Sequence, residues 1–295
     1  MVHEIEQIST NASEIIKNID YYADKFINQS VFGFKKIYLS EDEQLEILTL
    51  LGDRLNWVPN NKNKIKFSYT EDHSRTIENR ELFGENDVII DWHLEHINYQ
   101  HAQVSGMWNM KTFTCAKTCG KTGFVDTIKI YEDMPKDWQS FLQQCEIINY
   151  SRKSKKHGPI CLFPDGRWFQ AHKRNAIHNH PSKVAFVPRL DTRGDEGYEI
   201  QELILVDGIA PTNEEIKLFS KISQFFINEV WNNTDRQMWW EWDEGDTIVH
   251  DTFSLSHSAR GGFSTNERIF VGMWGFPNVE EVIRCNRKFT EGELE

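Results

Sequence analysis

Long hydrophobic runs are missing from this chain of 295 residues. No apolar stretch approaches the ~20 residues that a membrane-spanning helix needs. The first residues, Met1-Val2-His3-Glu4-Ile5-Glu6, lack the basic-then-apolar order of a secretory signal. A cytoplasmic protein with no membrane partner is the expectation. Cysteine is scarce and odd in number, five residues at 115, 119, 145, 161 and 285, which excludes a secreted disulfide framework. Cys115 and Cys119 lack the second close pair that a structural zinc site requires, so the cysteines are expected to be buried thiols. Positive charge is also in deficit, with 33 Lys and Arg against 45 Asp and Glu and a net charge of -12. That deficit argues against duplex nucleic acid as a partner, because such binding relies on Lys and Arg neutralising phosphates. The basic run from Arg152 to His157 is the exception, and it reads as a solvated loop.

Aromatic residues, by contrast, are plentiful: 19 Phe, 10 Trp and 8 Tyr supply a large core. Ile15, Ile16, Ile19, Tyr22, Phe26 and Ile27 recur at helical spacing and predict a helix over 11–27. Residues 30–34 read as a strand. Ser40 and Glu43 form a capping box that opens a second helix, with Leu51-Gly52 as its stop. Residues 53–90 are polar and turn-rich. Beyond them, short apolar runs at 88–90, 104–113, 184–187, 200–206, 247–249 and 268–273, bounded by Gly, Pro, Asp and Asn, predict β-strands. Helical patterns at 135–148 and 211–231 interrupt them, and the charged tail 280–295 is expected to end in a short helix. The fold class is therefore mainly β with flanking helices, a sandwich or barrel of strands in one domain over 1–295.

The residues that carry chemistry are His93-Leu94-Glu95, then His257, then Arg268. Two imidazoles and a carboxylate can cover one face of an octahedral iron(II), leaving the other face open for a cosubstrate and dioxygen. In a strand, His93 and Glu95 would point to the same side. A His-x-Glu tripeptide alone is a common accident. It gains meaning from its order with Gly120-Lys121-Thr122-Gly123, Trp242-Asp243-Glu244-Gly245-Asp246, His257 and Arg268. The same ligands could also serve a zinc hydrolase, or a jelly-roll protein that binds a metal or small ligand without turnover.

This ordered set resembles the taurine dioxygenase family of iron(II)- and 2-oxoglutarate-dependent oxygenases, within the clavaminate synthase-like superfamily, over most of the chain. The resemblance implies a double-stranded β-helix, or jelly roll, in which 1–52 is an N-terminal helix–strand–helix part and 139–211 a variable lid or insert. It implies that His93, Glu95 and His257 hold Fe(II), and that Arg268 and Thr122 hold the distal carboxylate of 2-oxoglutarate. An Arg fork and a Thr hydroxyl suit a carboxylate. It also implies a dioxygenase that takes dioxygen and a small-molecule substrate. Glu95 in place of the commoner Asp is similar to the branch acting on free amino acids, although the eleven residues from His257 to Arg268 are short for that branch. Gly272 stands where taurine dioxygenase itself has a sulfonate-gripping Arg, which disfavours a sulfonate. Glu95 argues against a halogenase, which lacks the carboxylate. Candidates for substrate contact are Arg260, in a Gly-rich loop after His257, together with Trp108 and His96. Trp239 to Trp242 read mainly as core. His172, His178 and His180 read as part of the variable middle region rather than as a second metal site.

Overall fold

The structure is a computed structural model that describes residues 4–59, 65–68, 88–95, 103–151, 173–193, 199–263 and 267–278. The basic run 152–157, His96, His172 and the tail 280–295 lie outside the described residues. After strand β1 (Glu6–Ile8), the single helix expected over 11–27 is two, α1 (Ala12–Lys17) and α2 (Ile19–Gln29). Asn11 caps the first by accepting from the Glu14 N–H, and Asn18 interrupts the run, its own N–H turning back to Glu14 and Ile15. Strand β2 (Val31–Phe34) is buried along its length. Helix α3 (Glu41–Leu55) opens on the Ser40–Glu43 capping box, with both reciprocal bonds formed. It runs past Gly52, where a stop was expected. A Cβ there would lie 2.5 Å from both the Trp57 ring and the Trp57 carbonyl, so the glycine admits Trp57 rather than ending the helix.

Strands β3 (Trp57–Pro59) and β4 (Ile65–Ser68) fall within the stretch read as turns, too short to show alternation. Strands β5 (Val88–His93), β6 (Ser105–Phe113) and β7 (Thr122–Asp126) follow, then helices α4 (Thr127–Asp133) and α5 (Lys136–Gln144). The helix expected over 135–148 therefore ends early. Residues from Cys145 onward form β8 (Cys145–Ser151), where β-branched Ile147 and Ile148 pair with a later strand. The remaining elements are β9 (Lys173–Asn175), β10 (Ile177–Asn179), β11 (Phe186–Pro188) and β12 (Glu199–Val206). They lead into α6 (Asn213–Trp231), β13 (Gln237–Trp240), β14 (Thr247–His250), β15 (Leu255–Arg260) and β16 (Arg268–Pro277).

The larger sheet runs β1-β2-β14-β6-β16-β3, with β4 also on β16, and the facing sheet runs β13-β7-β15-β5. Alternation sorts their side chains into layers. Trp108, Ile248 and Phe270 of the larger sheet meet Phe124 and Leu255 of the smaller in one buried interior cluster. The opposite face of the larger sheet, with Met107, Val249 and Val271, packs on α1, α2 and α3. The opposite face of the smaller sheet, with Trp92 and Val125, packs on α4, α5 and α6. This is the expected jelly roll with helices on both flanks. Among the described residues, no helix is long and apolar enough to cross a membrane.

Candidate active site

His93 ends β5 and pairs across the sheet with His257 of β15. The two imidazoles consequently stand side by side, with ring centroids 4.2 Å apart. The strand stops at His93. Leu94 turns into the core at 1% exposure, and Glu95 comes from the turn beyond the strand rather than from the strand itself. Its Oε1 lies 3.2 Å from His257 Nε2 and 3.7 Å from His93 Nε2. One ligand atom from each of the three residues lies within 4.8 Å of the others, close enough to share one ion.

The ring orientations suit such a role. His93 Nδ1 lies 2.7 Å from the Asp91 carbonyl, which can only accept. Nδ1 therefore carries a hydrogen, and Nε2 is the ring nitrogen that faces Glu95. Burial pulls the His257 ring below the ordinary imidazole range, with His93 adding to the shift and Glu95 opposing it. A neutral ring is what a metal ligand requires.

Arg268 opens β16 and is only 2% exposed. Its Nε donates to the Gly120 carbonyl and its Nη2 to Thr122 Oγ1, both at 3.0 Å. Trp242 Nε1 donates to the same Thr122 oxygen at 2.9 Å. That oxygen has two lone pairs, and both are engaged, so the Thr122 hydroxyl hydrogen is directed elsewhere as a donor. Trp242 was read from the sequence as core. The signal that could have found it is its place at the head of Trp242-Asp243-Glu244-Gly245-Asp246.

Trp108 has its ring centroid 5.4 Å from both His257 and Phe270, and the Arg268 guanidinium lies 5.0 Å from that Phe270 ring. Beside it sits His250, 4.2 Å from Trp108 and 5.8 Å from His257, a fully buried ring that the sequence did not single out. Burial drives its pKa well below the ordinary value. Arg260 is placed differently from the expectation of a contact at the mouth. Its guanidinium lies 3.8 Å over the Trp239 ring, and Trp239 packs on Trp92 at 5.4 Å. A Cβ at Gly123 would meet both of those tryptophans, whereas its neighbours Thr122 and Phe124 face the interior. Arg260 therefore covers the outer face of the sheet, across from His257. His178 and His180 do not join the metal-sized group. Burial takes His178 down to about 4, and His180 bonds to Asp251 at 3.0 Å.

A jelly roll with this trio on two paired strands and the turn after one of them, and a buried Arg–Thr pair joining the two sheets, has the arrangement of metal-dependent oxygenases that use a 2-oxo acid. The model of the family described as taurine catabolism dioxygenase TauD, TfdA family, matches residues 28–274, and the chain belongs to that family. It is an iron(II)- and 2-oxoglutarate-dependent dioxygenase, an oxidoreductase. No curated protein matches the sequence. The fold is similar to that of a taurine dioxygenase from Burkholderia xenovorans, at 10% identity and a TM-score of 0.62, covering 94% of this chain and 88% of that one. It is also similar to AAD-2 in complex with Mn(II) and N-oxalylglycine, at 11% identity and a TM-score of 0.57, covering 95% and 99%.

Proposed function

We propose that His93, Glu95 and His257 hold the iron, that Arg268 and Thr122 hold the distal carboxylate of 2-oxoglutarate, and that the enzyme hydroxylates or desaturates an unactivated carbon of a small substrate. The substrate is an amino acid or an amino-acid-derived metabolite, a reading supported by the carboxylate ligand being Glu. The observation that carries the proposal is the convergence of the three ligand atoms within 4.8 Å, together with a buried Arg268–Thr122 pair in the same fold. Neutral nitrogen and carboxylate oxygen donors fit a divalent first-row metal.

Bound iron supplies dioxygen activation coupled to conversion of 2-oxoglutarate to succinate and carbon dioxide. The chain's own residues orient the reactants. Arg268 contributes fixed positive charge, and Thr122 contributes a hydroxyl whose hydrogen Trp242 and Arg268 direct away from themselves. Trp108, Phe124 and Phe270 exclude water from the space between that anchor and the ligand trio. Unbridged thiols at Cys115 and Cys145 support a cytoplasmic setting.

The test is an anaerobic titration of the metal-free protein with iron(II) and then 2-oxoglutarate, following the visible charge-transfer band. The band is expected in the wild type and is lost in His93→Ala and in Arg268→Ala. A folded wild type that binds iron and shows no band on adding 2-oxoglutarate would sink the reading.

A further inference from the structure

Residues 176–192 lie behind the ligand trio and bond to both segments that carry it. Arg189, 2% exposed, donates from Nη2 to the carbonyl of Glu95 at 3.1 Å. From Nη1 it donates at 2.8 Å to the carbonyl of Phe253, in the turn that leads into β15. Three residues on, the buried Thr192 hydroxyl bonds to the carbonyl of Trp92 at 3.1 Å and to the Ser256 hydroxyl at 2.8 Å. Trp92 precedes His93 and Ser256 precedes His257. Two side chains of one segment thus reach a backbone or side-chain atom at, or next to, every member of the trio.

We propose that Arg189 and Thr192 are positioning residues that clamp β5 to β15 and so set the spacing of the metal ligands. This rests on the assignment of His93, Glu95 and His257 as those ligands. The clamp is itself anchored. The Arg189 N–H donates to Ala176 at 2.9 Å, Arg174 Nη2 donates to the Arg189 carbonyl at 3.1 Å, and Trp231 Nε1 donates to the Thr192 carbonyl at 2.8 Å. Asp251 accepts from His180 at 3.0 Å and from Lys183 at 2.6 Å, fastening the same segment to the turn before β15. An arginine is an expensive choice for a core position, since burial alone disfavours its charge. Its planar fork explains the choice, because one group can satisfy carbonyls from two separate turns, one after β5 and one before β15, at a fixed separation.

Cobalt(II) titration of the metal-free protein, read by its visible absorption, separates this role from plain stabilisation. Thr192→Val keeps the shape and removes both bonds, and Arg189→Met removes the fork. Each is expected to weaken cobalt binding about tenfold or more, whereas Thr192→Ser binds within about twofold of wild type. Ser182→Ala breaks the bond from the same hairpin to the Leu55 carbonyl, away from the trio, and is expected to lower the melting temperature without changing cobalt affinity. Folded Thr192→Val with wild-type affinity overturns the clamp while leaving the ligand assignment in place. A wild type that binds no cobalt overturns the ligand assignment and the clamp together. Because Thr192→Val is nearly isosteric, it decides the matter even where Arg189→Met fails to fold.

Discussion

Trp242 and Arg268 donate to one atom, the Oγ1 of Thr122, at 2.9 and 3.0 Å. Neither contact is replaceable by the other, because together they exhaust the lone pairs of that oxygen and turn the hydroxyl into an obligate donor.

Trp242→Phe tests this directly. The ring stacked on Phe270, with an interplanar angle of 6°, is largely kept, while the N–H is lost. One lone pair of Thr122 is released and its hydrogen is no longer directed. Affinity for 2-oxoglutarate is expected to fall about fivefold, the equivalent of one hydrogen bond of ~1 kcal/mol, with iron affinity unchanged. Equal 2-oxoglutarate affinity in the two proteins, measured by charge-transfer titration, would refute the idea.

Asp251 governs an acid-side stability term. Burial opposes its charge, yet His180 and Lys183 beside it hold the carboxyl far below the usual carboxylate range. A carboxylate depressed in the folded state stabilises the protein above its unfolded pKa of about 3.9, and that contribution is lost as pH falls toward the folded value. Asp251→Asn should therefore be less stable at pH 7, by about 3 kcal/mol, since Lys183 is left buried without its partner. The gap should narrow by about 1 kcal/mol between pH 5 and pH 3. Urea unfolding across that range measures it, and parallel curves would count against the assignment.

Gly106 and His250 form a tight pair in the interior. A Cβ at position 106 would lie 2.4 Å from His250 Cε1. Gly106→Ala is accordingly expected to cost about 2 kcal/mol through overpacking. Adding His250→Ala opens the space, so the double variant should be more stable than the sum of the two single changes predicts. Thermal melts of the four proteins complete the cycle, and strict additivity would show that the two positions do not press on each other.

Features set by local chemistry are legible in the sequence, and those set by distant contact are not. The Ser40–Glu43 cap announces α3 because donor and acceptor lie three residues apart. The end of that helix is obscure because Gly52 answers to Trp57, a partner in the next element. Residues 145–148 continue an apolar run that looks helical, and pairing with β12 on one side and β9 on the other makes them a strand. The His93, Glu95 and His257 trio stands out by residue type and order. The face taken by Arg260 does not, because the Gly-rich stretch after His257 reads as a loop, and only pairing with distant Val88 keeps Arg260 in β15, where alternation from His257 turns it outward. Arg189 and Thr192 left no trace at all. Their partners are chiefly backbone carbonyls, which every residue possesses.

The trio belongs to one sheet and the turn beyond it, since β5 and β15 are neighbours there. The Arg268–Thr122 pair belongs to both, joining β16 of the larger sheet to β7 of the smaller. On the proposed assignment, a dicarboxylate cosubstrate would be pinned at one end by this seam and at the other by a single wall. Trp108, Phe124 and Phe270 share one buried cluster between those walls, so on the same assignment their packing would set the distance between the pins. The jelly roll would then act as a ruler for carbon-chain length, its graduations set by aromatic side chains packed between the two sheets.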